Sequence, residues 1–388
     1  MINRRRLGIV LGINQTITWG TSFFLPAVIA KPAAQALGVS SVAALGAFTW
    51  ALLVTGACSP RVGRWIDRHG GRGAIALSIG IIALGQVVMA SSPNLVCWYA
   101  AWTLMGFGMA LGLYDPAFAT AGVLLGKDAG SVITGITLFA GFASSIFWSL
   151  GTALIGTLGW RDLLLLYAAL MMAVNLPIVL LLVPHKTPHE HTAAASATHD
   201  APPRAGKFAL TCLAGFFTLR WFITSTIAVN ILVLLQGIGL TLGQAVLVAA
   251  LIGPGQVVGR AIEWSIGSRV GLLLRARLGA LLFPLGAALL PIGGSFAPFA
   301  FAVLYGMSNG MLTINRGTLP LALFGPQGYA TLLGWLAVPV LLAQATAPTL
   351  TAPLVAAVPA LHVLLFGGGA AAFAVLLLLP LKLPTAAS

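Results

Sequence analysis

Gly63-Arg64-Trp65-Ile66-Asp67-Arg68-His69-Gly70-Gly71-Arg72 lies between two apolar runs, 42–60 and 74–90. Three arginines and an aspartate crowd into these ten positions, in a chain of which only 7% of residues are charged. Charge confined to a short turn, with almost none on either flank, marks flanks that occupy a solvent hostile to charge. The rest of the chain extends that reading. Of its 388 residues 59% are hydrophobic, whereas a soluble domain carries about 25% charged residues to cover its surface. The same composition excludes disorder, which needs low hydrophobicity. The apolar runs are long and continuous, unlike the ~10-residue alternating segments of a membrane β-barrel. A polytopic, all-α membrane protein is what remains.

Counting outward from that turn, a span needs roughly 20 apolar residues. Twelve fit: 7–29, 42–60, 74–90, 95–118, 131–155 and 163–183, then 208–232, 244–262, 274–293, 297–316, 329–350 and 360–381. The N-terminal run reads as the first permanent span rather than a signal peptide, because small-residue cleavage context is poor. Residues 184–207 (PHKTPHEHTAAASATHDAPPRAGK) are polar and rich in Pro, Ala and His. They form a linker between an N-terminal six-helix bundle, 1–183, and a C-terminal one, 208–388. With the N-terminus inside, sixteen Lys and Arg fall on inner segments and only Lys31 and Arg161 on outer loops. That asymmetry puts both termini and the linker in the cytoplasm, in the inner (plasma) membrane of the cell.

The halves repeat. Gly63-Arg64-Trp65-Ile66-Asp67 follows the second span, and Gly259-Arg260-Ala261-Ile262-Glu263 follows the eighth, 196 positions later. Repeats of this kind are the architecture of secondary transporters. The loop at 63–72 resembles the signature loop of the major facilitator superfamily, G-x-x-x-D-R-x-G-x-R in outline. With twelve spans and the degenerate second copy, the resemblance covers the whole chain. It implies two pseudo-symmetric six-helix bundles around a central cavity and alternating access. Two marks of the superfamily's drug–proton antiporters are missing: Trp102 stands where their fourth-span arginine would be, and 141–145 lacks their fifth-span G-P-x-x-G-G. The run Asn230–Leu240 is similar to the seventh-span exit of bacterial monocarboxylate-transporter-like members.

The signature loop asks for a conformational role. Asp67 just past a helix end can accept charge-assisted hydrogen bonds from an arginine or sit at the positive end of another helix. Either forms a latch, with Gly63 allowing close approach of backbones; Arg64, Arg68 and Arg72 serve the latch or simply fix topology. Asp115 and Arg316 lie 20 and 19 positions past the starts of their spans, ~30 Å along and near the inner interface. Two readings stay open: Asp115 couples protons, or it pairs with Arg64, Arg68 or Arg72 while Arg316 pairs with Glu263. Depth and the supply of partners favour the second.

Arg220 is the residue most telling of a solute. It sits 12 positions into the seventh span, near mid-membrane, where a charge faces the bundle interior or a wet cavity. Its planar fork suits a carboxylate or phosphate; the competing readings are snorkelling or a pair with Asp115. In the resembled fold the first, fourth, seventh and tenth helices line the cavity, which raises Asn14, Thr18, Asn230 and Asn309 as further solute contacts. Each of these, taken singly, also serves as an interhelical hydrogen bond.

Several classes fall away. The +13 net charge is split among short loops, so nucleic acid is excluded as a partner. Cys58, Cys97 and Cys212 have no paired spacing, and Pro184 and Pro188 break any helix that would align His185 with His189, so no metal site is expected. No Walker-type loop, cofactor motif or catalytic constellation is present. The sequence therefore predicts a secondary transporter, not an enzyme, working as a monomer in the lipid bilayer. Its solute is small, organic and anionic or zwitterionic, with protons as the other candidate partner and symport the coupling. Export of drugs or other hydrophobic compounds is the alternative.

Overall fold

The structure is a computed structural model that describes residues 3–185, 206–267 and 269–383. All the secondary structure among them is helical. Helix starts follow local chemistry: the side chains of Asn3, Ser40 and Asn94 each accept a backbone N–H of the first turn, and Thr241 with Gln244 forms a full capping box.

Among the described residues eight helical runs are long and apolar enough to cross a membrane. One of them, Leu95–Leu182, is 88 residues long and holds three crossings, the last two parted at Gly159, whose φ of 76° no ordinary helical residue adopts. With the bent first span (Arg4–Thr21, then Pro26–Leu37) and the last, Ala360–Leu376, the spans number twelve.

Several spans run further than the sequence suggests, the fourth and tenth among them. The fourth breaks at Leu113, which is extended (ψ −161°), and restarts as Tyr114–Leu125. Pro116 lies in the first turn of the restarted helix, where its missing N–H costs nothing. The tenth continues through Pro320 to Phe324. Residue counting at 1.5 Å per residue places Asp115 and Arg316 near the inner ends of their spans. Both instead have helix continuing for several residues beyond them.

The described residues gather into two compact units, one within 1–201 plus 325–341, the other within 202–324 plus 342–388. The helix Tyr329–Ala357 contributes its first part to one and its remainder to the other. The expected linker, 184–207, lies almost wholly outside the described residues, as do His189, Glu190, His191 and His199.

Each unit closes its last helix the same way. In the first, the Arg72 guanidinium donates to the Leu180 carbonyl. In the second, Arg277 donates to the carbonyls of Leu378, Leu379 and Leu381 at 2.9–3.2 Å. A cation satisfying the orphan carbonyls of a helix end is favourable twice, through hydrogen bonding and through the helix dipole. Small residues bring other helices together. A Cβ on Gly306 or Gly310 would collide with backbone of 252–256, and one on Gly259 with the backbone of Met307.

Candidate functional site

In the first unit, the buried face of the first helix carries Asn14, Gln15 and Thr18, none more than 1% exposed. Asn14 Nδ2 donates to Asn175 Oδ1 at 3.0 Å, and Asn175 Nδ2 returns a bond to Thr18 Oγ1 at 3.1 Å. Gln15 Nε2 donates to Asn14 Oδ1 (3.0 Å) and to the Gly112 carbonyl (2.7 Å), which lies beside the break at Leu113. Gln15 Oε1 accepts from the Trp19 indole at 3.1 Å. Asn14 and Thr18 thus have their polar atoms engaged within the unit. Asn175 was not singled out from sequence. It closes a π-helical turn, Met171–Asn175, and its one signal was a lone amide in an apolar run two residues before Pro177. Asn175→Leu would strand the Asn14 amide and is expected to cost about 1–3 kcal/mol. A melt in detergent should then fall by roughly 2–6 °C; an unchanged midpoint would show the network to be idle.

Also in the first unit, the Asp67 carboxylate receives the backbone N–H groups of Ala330 and Thr331 at 3.1 and 2.8 Å, and the Thr331 hydroxyl at 2.6 Å. These are the first-turn donors of helix Tyr329–Ala357, left orphan by helix geometry. They come within reach because Gly63 has no side chain, as a Cβ there would strike the Ala330 carbonyl. The helix end, one of the two partners foreseen for Asp67, is found on it. Arg64 and Arg68 are exposed and Arg72 caps Leu180. Asp115 stands half-buried in the first turn of Tyr114–Leu125, where the helix dipole favours a carboxylate.

The second copy of the loop behaves differently. Glu263, 1% exposed, pairs with Arg275 Nη1 at 2.8 Å. The expected Glu263–Arg316 pair is therefore corrected. Arg275 opens the ninth span just past the loop and needs only to fold back, whereas Arg316 lies with its guanidinium 5.3 Å from the Trp221 ring. Repetition in sequence has not produced repetition in contact.

The second unit holds Arg220 at the middle of helix Lys207–Gly237, 0% exposed. The helix begins well before it, so the side chain does not snorkel. Nη2 donates to Ser308 Oγ at 3.1 Å, and the guanidinium lies 5.1 Å from the Phe283 ring centre. Nε and Nη1 have no hydrogen-bond partner among the described residues. Beside Ser308, Asn309 Oδ1 accepts from Thr224 Oγ1 at 3.2 Å. The seventh and tenth spans thus meet through Arg220 on Ser308 and Thr224 on Asn309, neighbouring residues of the tenth span. Asn230 does not join them: it lies ten residues along the helix and donates to the Thr226 carbonyl (2.9 Å) of its own helix. Among the described residues no three His, Cys, Asp or Glu side chains gather as a metal ion would require.

A family model described as the Major Facilitator Superfamily matches residues 7–348. The chain belongs to that superfamily. Two solved structures share its fold. The human organic anion transporter MFSD10 (TETRAN) is 18% identical, with a TM-score of 0.77 over 97% of this chain and 100% of that one. The E. coli fucose:proton symporter FucP is 16% identical, with a TM-score of 0.65 over 96% and 97%. A search of curated protein sequences finds no significant match. This superfamily member is a multi-pass membrane protein and a solute transporter.

Proposed function

We propose that this chain carries a small organic anion of the monocarboxylate kind across the inner membrane by alternating access, acting as a monomer with both termini in the cytoplasm. One observation carries the choice of an anion: a guanidinium sealed at mid-helix, two of whose nitrogens have no hydrogen-bond partner among the described residues. A buried donor without an acceptor is costly, and a cation inside a span is costlier still. A carboxylate is what a planar, unspent fork recognises best. Asn309 and Thr224 supply neighbouring polar atoms. Two proteins of this fold, an organic anion transporter and a sugar:proton symporter, make small organic solutes a natural cargo for it. The Asp67 contact is the proposed latch, formed in this conformation and broken in the other; Gly63 and the loop arginines support it.

The test is uptake by purified protein in liposomes, using labelled lactate, pyruvate and benzoate, with fucose and tetraphenylphosphonium as neutral and cationic controls. Saturable anion uptake that the other anions compete is expected. Uptake of the cation alone would overturn the reading in favour of drug export. An imposed pH gradient decides coupling: stimulation by an alkaline interior makes the carrier a proton symporter, with Asp115 the carboxylate to substitute first.

A further inference from the structure

From Leu7 onward the first helix reaches the protein surface only at Ile9, Ile13, Thr16 and Trp19. These positions form a single stripe, and its upper end is aromatic. The Trp19 ring lies 4.6 Å from Tyr114 and 4.7 Å from Phe23, and Phe23 lies 5.3 Å from Phe48. All four rings are only partly buried.

Each of the outer three is held from behind. Tyr114 stacks on the fully buried Phe118 (5.2 Å, 13° between planes), and Phe48 packs edge-on against the buried Trp102 at 5.4 Å. Trp19 is pinned by its hydrogen bond to Gln15, whose amide is fixed in turn to Asn14 and to the Gly112 carbonyl. Locked rotamers backed by a satisfied polar network are how a binding surface is preorganised. The location agrees. Tyr114 opens the helix after the break at Leu113, and interrupted helices are where transporters place their sites. Its neighbour Asp115 is also half-buried.

We propose that Trp19, Tyr114 and Phe48 form a platform in the first unit that recognises a planar aromatic ring on the transported solute. The inference rests on the reading of the chain as an organic-anion carrier and narrows its cargo to arylcarboxylates. Face and edge contacts with a ring favour it over a puckered ring of equal size by about three- to tenfold.

Two matched pairs isolate that term: benzoate against cyclohexanecarboxylate, and phenylacetate against cyclohexylacetate. Affinities come from competition for uptake, and from thermal shift of the full-length protein. Wild type should prefer each aromatic acid by about three- to tenfold. Trp19→Leu should bring the ratio to near one, and Trp19→Phe should keep most of the preference. Tyr114→Leu gives a second, independent loss. Equal affinities in the wild type, or a ratio unmoved in both leucine variants, would overturn the platform while leaving the anion reading intact. Binding of neither acid, or of tetraphenylphosphonium in their place, would instead fell the anion reading and the platform's arylcarboxylate with it.

Discussion

Arg220→Met is expected to abolish uptake and, at the same time, to raise the melting temperature. The two effects have one origin. Holding a cation at mid-span costs about 2.5–3.5 kcal/mol even on the lenient insertion scale. The structure returns one hydrogen bond, from Nη2 to Ser308, and a guanidinium–ring contact with Phe283 at 5.1 Å. Nε and Nη1 return nothing among the described residues. Methionine fills similar volume without the charge, and replacing poorly compensated buried ions by apolar groups stabilises proteins by about 1–4 kcal/mol. Even the low end moves the midpoint by roughly 2 °C. The Ser308 hydroxyl, freed of its donor, can turn to a carbonyl of its own helix. Transport should fall at least about 100-fold, because truncating one partner of a desolvated charge pair costs ~2–5 kcal/mol. Arg220→Lys keeps the charge but loses the fork and should sit between the two. Uptake rates in liposomes beside melts of the same preparations decide it. Full activity in the methionine variant would end the anion argument. A variant both inactive and less stable would make Arg220 a structural cation instead.

Much of this was legible in the sequence, and for stated reasons. Composition alone forces helices in a bilayer. The loop at 63–72 and its echo at 259–263 name the superfamily, and the depth of Arg220 follows from counting residues. What escaped was whatever depends on helix rotation or on breaks. Asn14 and Thr18 look like Asn309 in a string of letters. Only rotation decides that the first two turn inward to Asn175 while Asn309 lies beside Ser308 and Thr224. Leu113 is an ordinary leucine, and nothing nearby in sequence announces that the fourth span restarts there. Pro116 sits in a first turn, where proline is welcome, and Pro320 lies buried inside a helix that runs on to Phe324. The Glu263 partner was missed because depth along the spans pointed to Arg316. Arg275, twelve residues away, was the shorter reach.

The contrast between the two copies makes Asp67→Ala the sharper test of the proposed latch, since the first copy's carboxylate grips a helix end and the second copy's pairs with Arg275. Its carboxylate accepts two backbone N–H groups and a hydroxyl, at 3.1, 2.8 and 2.6 Å. Charge-assisted bonds of this kind are worth about 1.5–3 kcal/mol each when desolvated, and the half-buried position discounts that. A net loss of ~3 kcal/mol is a fair expectation, which is roughly a 100-fold shift between conformations. Hydrogen exchange reads it directly, for the Ala330 and Thr331 amides should lose about that factor of protection while amides deep in the second span do not change. Uptake should fall as well, because a carrier that rests in one state cycles slowly. Asp67→Asn keeps an acceptor without the charge and should lose less. Gly63→Val attacks the same contact from the backbone side, since its new carbons collide with the Ala330 carbonyl. If Asp67 and Gly63 serve one contact, the double variant should be little worse than either single one, as interacting sites are not additive. Unchanged protection at Ala330 and Thr331 in Asp67→Ala, or strict additivity in the double variant, would leave the signature loop as a topology signal and nothing more.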